Sequence, residues 1–306
     1  MVAASAAAPF GTVALWLTGL ERGVMLAGLA LALGGLAGRG LARQYKGERP
    51  GPLPTPWALR GSLLGLAATA ALLVTALAGP GLAAELARPP APGLRSGGTA
   101  EIAAIELILF GLAALAARLR RPGWAAVLLS GVIIAEGIRS HPEGIVPVGG
   151  AALAYCHVAP ALLWAGLLAY SLRTARQWRH HPVAAQGIIR LYAAAAAWLF
   201  FLVLVTGVTS ALVLVPLGSL LTTAYGLFLI AKAAVVCAAA GLALAGRQWL
   251  TRHSADGVGP ALVTRLELAA LAVVLAITGV LTVLTPPARP ITAASQPAVQ
   301  MVAAPR

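Results

Sequence analysis

Eight runs dominated by Ala, Leu, Val and Gly succeed one another along the chain, centred near Leu29, Ala68, Leu109, Val132, Leu162, Val203, Val236 and Val274. Each is close to the ~17–25 residues that a helix needs to cross a bilayer. Alternation of period two, the mark of strands, is weak, and helix-forming Ala and Leu abound, which argues against a barrel. The pattern therefore predicts an all-α, polytopic integral membrane bundle of about eight transmembrane helices. The fourth run, from Trp124 to about Arg139, is the shortest and the most interrupted.

Composition agrees. Of the 306 residues, 59% are hydrophobic and only 10% charged, against roughly a quarter charged in ordinary soluble domains. A soluble enzyme, a secreted disulfide scaffold and a disordered basic tail are excluded. Two cysteines, Cys156 and Cys237, lie in apolar runs and form no framework. The first ten residues lack a basic segment, and apolar sequence continues beyond signal-peptide length, so no cleaved signal is expected.

The net charge of +13 changes meaning once it is distributed. With alternating spans, one set of connections holds fifteen basic residues, among them Arg43, Arg120, Arg176 and Arg252. The other set holds six, and Lys232 lies within a span. The excess reads as a positive-inside signal that places both termini outside the cytoplasm, not as a nucleic-acid interface. A division near residue 149 separates two four-helix halves, 1–148 and 149–287. A flexible Pro/Ala-rich extracytoplasmic tail follows at 288–306. No phosphate-binding glycine loop is present, so nucleotide-driven coupling on this chain is not expected.

Ionisable groups inside a bilayer are costly and are functional candidates by default. Lys232 is the clearest. Its bland explanation is an ion pair with Glu106 or Glu136, at similar depth in the third and fourth spans, which does not exclude a role in transport. Glu267, near Arg265, reads as an interfacial anchor, and Glu21 and Arg22 as residues that snorkel from the first span. His180, His181 and His253 fall in basic loops. His157 lies within the fifth span, two turns before Trp164 on the same face, with Pro160 between them to bend the helix. His141 is expected at the outer mouth. Imidazole suits copper, zinc, iron and nickel, and thiolate selects reduced copper, so His141, His157 and Cys156 form a candidate metal set. Cys156 can join only through the bend. For His157, a structural hydrogen bond remains the competing explanation.

Several phrases resemble the copper-resistance CopD family. They are "HVAPALLWAGLL" with His157, Trp164 and Gly166, the Thr206-Gly207 pair, "TTAYGLFLIAK" from Thr222 to Lys232, and the ending with Glu267, Thr278 and "TPP". Pro160, and Ala165 where the family often has a second glycine, depart from the pattern. The resemblance implies a multi-pass protein of the bacterial inner membrane that transports copper and contributes to copper homeostasis or resistance, and that is not an enzyme. It implies import in most descriptions, with copper received from a separate extracytoplasmic carrier of the CopC type. On that reading Trp164, Tyr225, Lys232, Glu106 and Glu136 line or gate the passage. A haem-binding membrane redox protein, cytochrome-like or HemJ-like, is the alternative. The lipid bilayer and a second copy of the chain complete the expected partners.

Overall fold

The computed structural model describes residues 9–78, 99–139, 149–252, 261–284 and 287. His141, His253 and the 288–306 tail lie outside them. Among the described residues the regular structure is helical and no strand occurs: α1 (Pro9–Arg43), α2 (Ala58–Ala78), α3 (Thr99–Arg118), α4 (Pro122–Ile138), α5 (Gly149–Gln177), α6 (Pro182–Leu214), α7 (Ala224–Arg252) and α8 (Ala261–Leu281). A single 3₁₀ turn, Leu217–Ser219, joins α6 to α7. All eight expected centres fall inside helices. Seven of these helices are long and apolar enough to cross a membrane. With 17 residues, α4 extends only about 26 Å against a hydrocarbon core of roughly 30 Å. Its end is held within the protein by charged groups described below.

Proline marks where helices restart. Pro122 and Pro182 open α4 and α6, where a missing N–H costs nothing. The α3–α4 turn is closed by Arg120 in the left-handed region, φ 57°. The Arg121 N–H donates to the Ala116 carbonyl at 2.9 Å and the Arg120 N–H to that of Ala117 at 3.2 Å. This is the Schellman pattern, usually built on glycine.

The hub is α1. It packs against α2, α5 and α8, and more lightly against α4 and α6. One hydrophobic core therefore runs through both halves of the chain, from Met25, Leu29 and Phe110 to Leu162, Leu168 and Leu271. The closest approach is between α1 and α5. A Cβ placed on Gly34 would overlap the backbone of Gly166, and one placed on Gly166 would overlap the Ala30 carbonyl oxygen. Small residues at such crossings let backbones touch where lipid offers no hydrophobic drive to association. The start of α1 meets the end of α8: a Cβ on Gly19 would lie 3.2 Å from the Val280 Cα, and Arg22 Nη1 donates to the Thr282 carbonyl at 3.2 Å. The first and last helical ends thus share one end of the bundle.

At the other end, which carries most of the arginines, the α1–α2 connection is tied to α5. The Tyr170 hydroxyl donates to the Pro54 carbonyl at 2.8 Å, Arg173 to that of Thr55 at 2.8 Å, and Gln177 to that of Pro52 at 3.1 Å. Arg173 also lies over the Trp57 ring, 4.8 Å from its centre.

Glycine positions on α1 and α5 differ in a way that stability measurements can separate. Gly166→Ala should cost about 3 kcal/mol or more through overpacking. Gly40→Ala, where an added Cβ meets nothing within 4 Å, should gain up to about 1 kcal/mol from helix propensity. Thermal unfolding in detergent reads both, and similar shifts for the two variants would contradict the crossing.

Candidate functional site

Two buried polar groupings occupy the bundle, and the glutamates divide between them in a way the spacing along the chain did not predict. The first lies at the end away from the arginine-rich loops. Glu106 of α3 is fully buried. Glu136 of α4 pairs with Arg139 just beyond that helix. Arg139 Nη2 also lies 3.7 Å from Glu106 Oε1, and Arg22, only 6% exposed, adds a second positive charge that acts on both carboxylates. Beside them the Thr75 hydroxyl donates to Glu21 at 3.0 Å. The pairing expected between Lys232 and Glu106 or Glu136 is thus corrected: both acids face Arg139 and Arg22. Arg22 does not snorkel either. The cause is common to both, since a charge excluded from water is offset by the opposite charges and polar groups nearest to it: Arg139 for the two acids, and the acids with the Thr282 carbonyl for Arg22.

The second grouping is built by α5, α6 and α8. The Trp164 indole N–H is shared between the Tyr192 hydroxyl at 2.9 Å and Glu267 Oε1 at 3.2 Å, and the Tyr192 hydroxyl donates to the same oxygen at 2.5 Å. All three side chains are buried, and the Phe200 ring meets Trp164 edge-on with centroids 5.6 Å apart. Glu267 is therefore no interfacial anchor. Arg265, two residues earlier, is exposed, so the helix turns one charge outward and the other inward. Tyr192 was missed altogether. Its sequence signal is faint, an aromatic hydroxyl in the alanine-rich LYAAAAAW stretch.

His157 lies two turns from Trp164 along α5, about 10 Å. Its Nδ1 is 3.1 Å from Thr206 Oγ1, and the Thr206 hydroxyl donates to the Leu202 carbonyl at 2.5 Å. With that proton on the Leu202 carbonyl, Thr206 is free to accept from the imidazole, and the Val203 carbonyl is a second acceptor for the ring. In the tautomer with the ring proton on Nδ1, the lone pair is on Nε2, a form in which histidine binds metals. Gly207 makes room: a Cβ there would lie 2.9 Å from His157 Cε1. The Thr206-Gly207 pair thus works as a hydroxyl acceptor beside a gap. Lys232 of α7, half-buried, acts electrostatically on His157. Tyr225 is buried with Leu214, Val215 and Leu281 where α6, α7 and α8 end together. Cys156 is exposed, on a different face from its neighbour His157. Among the described residues no three His, Cys, Asp or Glu side chains gather as a metal-binding group.

Comparison with known proteins adds one match. Residues 186–281, which span most of α6 and all of α7 and α8, match the family model described as Copper resistance protein D. His157, Trp164 and Gly166 lie before the matched stretch. No curated protein and no solved structure matches the chain.

Breaking one side of the first grouping should be far worse than removing both. Arg139→Gln is expected to cost about 3–5 kcal/mol by leaving buried carboxylates uncompensated, and Glu136→Gln in the same chain to recover at least half of it. Tyr192→Phe should cost about 1–3 kcal/mol through the lost donor to Glu267. Unfolding in detergent measures each, and equal losses in the single and double variants would argue against the ion pair.

Proposed function

As a multi-pass inner-membrane protein of the copper resistance protein D family, this chain, we propose, carries copper ions across the membrane along a passage between α5, α6, α7 and α8. The observation that carries this reading is the alignment of two cation-capable groups along that seam. His157 offers an imidazole on α5, and Glu267 offers a buried carboxylate about two helical turns further in, with Trp164 between them. Imidazole takes copper readily, and a site of one or two ligands holds it loosely enough to release it, as conduction requires.

On this reading the ion enters at the end where His141 and Tyr225 lie in the chain order and binds His157 Nε2. It then passes Trp164 to Glu267 and leaves through the arginine-rich end. The charge asymmetry of the loops supports assigning that end to the cytoplasm, which makes the direction import. A separate CopC-type carrier would deliver copper at the outer mouth. Cys156 is a ligand only for an ion arriving from outside the bundle, because its side chain faces outward. Lys232 serves as an electrostatic gate: its ammonium opposes a cation resting on His157 and shortens its stay. Glu106 and Glu136 contribute indirectly, by locking α3 and α4 onto α1 through Arg139 and Arg22.

Copper accumulation in cells with matched membrane levels of protein tests the scheme. His157→Ala and Glu267→Gln should both fall to the level of cells lacking the protein, and Thr206→Val should fall partway, because it releases the imidazole from its orientation. Lys232→Met should bind copper more tightly in purified form while moving it more slowly. Accumulation equal to the native protein in His157→Ala and Glu267→Gln would defeat the proposal.

A further inference from the structure

Between α5, α6, α7 and α8 lies a cavity of about 800 Å³. Glu267, Tyr192 and Trp164 form its inner end. Its walls are apolar, with Ala193 and Ala196 on α6 facing Ala240 and Ala243 on α7. These two helices touch each other only sparsely, although they are consecutive in the chain. Arg176 of α5, Arg179 of the turn after it and Arg265 of α8 line the cavity as well, and all three side chains are exposed. Arg176 lies in the last turn of α5 and Arg179 in the turn that follows it, so both stand at the same end of the cavity. Among the lining residues Glu267 is the only acid, and one of its oxygens already receives two donors.

This layout, cationic at the membrane edge and apolar inward, is the mirror of an amphiphile. The lining runs along α6 from Pro182 to Phe200, about 27 Å, which exceeds the depth of one leaflet of a hydrocarbon core of roughly 30 Å. A soluble anion would use the arginines and leave the apolar walls unsatisfied. A neutral lipid would fill the walls and leave the arginines idle. We propose that the cavity seats one anionic phospholipid, its phosphate held by Arg176, Arg179 and Arg265 and an acyl chain lying between α6 and α7. Basic pockets between transmembrane helices recognise headgroups in this way. The cavity opens on the arginine-rich side of Glu267, where the proposed passage ends, so a seated lipid would narrow that exit; lipid binding is read directly, without reference to copper movement.

The test uses the full chain purified in neutral detergent, titrated with dioleoylphosphatidylglycerol and read by native mass spectrometry. Dioleoylphosphatidylcholine and inorganic phosphate serve as comparison arms. One phosphatidylglycerol per chain is expected, with little phosphatidylcholine at the same concentration and no displacement by phosphate. Arg176→Gln, Arg179→Gln and Arg265→Gln combined should weaken binding about tenfold or more. Ala243→Phe, which fills the apolar part and keeps the arginines, should lower occupancy too. Equal retention of the two lipids, displacement by inorganic phosphate, or full occupancy in Ala243→Phe would each overturn the proposal. So would a chain dimer that closes the α6–α7 seam without bound lipid.

Discussion

Everything in this bundle is positioned by the contact of two bare backbones, Gly34 of α1 and Gly166 of α5. In a bilayer, apolar side chains gain little by leaving lipid for protein, so association depends on close packing and on polar groups that find partners. A crossing at backbone distance brings α5 onto the hub helix without intervening side chains. It thereby sets the rotation of α5, and with it the direction of every group that helix carries. Trp164, two residues before the crossing, is turned toward α6 and α8, and His157, two turns further along, toward Thr206 and Gly207. A displaced crossing would leave the indole N–H and the imidazole without the acceptors they now have.

The two polar groupings solve the same problem differently. Around Glu106 and Glu136 the charges are compensated by arginines, an arrangement that rigidifies and whose members depend on one another. Around Glu267 no cation is supplied by the protein among the described contacts. The carboxylate is held by an indole and a phenol instead, donors that orient it without cancelling a negative charge. The first arrangement suits a fixed base and the second a group that exchanges its cation. This contrast, more than the number of polar residues in either half, distinguishes the two halves of the chain.

The helices were legible because the bilayer imposes a simple rule on length and hydropathy, and even the weakness of the fourth run near Val132 corresponds to a short helix. The resemblance carried by the Thr206-Gly207 pair, "TTAYGLFLIAK", Glu267 and Thr278 falls within the stretch 186–281 that the family match covers, with "TPP" just beyond it. The fifth-span phrase around His157 does not. Pairing was not legible. Depth along a helix can be counted, but azimuth across a bundle depends on which helices are neighbours. Lys232 and Glu106 share a depth yet lie on helices that do not form a principal contact. Glu267 beside Arg265 looked interfacial because adjacency in sequence was read as adjacency in space. Tyr192 carried no signal, since a tyrosine within an alanine run says nothing of the acid it will meet.

The burial of Arg22 has a consequence in time. Its counter-charges, Glu106 and Glu136, are made 84 and 114 residues later in the chain. At roughly 5–20 residues per second of synthesis, α1 waits about 4 to 17 seconds in the membrane before the first of them exists. During that interval the long side chain has only water and lipid headgroups to turn to. The snorkelling position that the sequence suggested for Arg22 is thus the position of the nascent helix. The side chain is drawn inward as the third and fourth helices arrive, and its hydrogen bond to the Thr282 carbonyl forms only with the last helix.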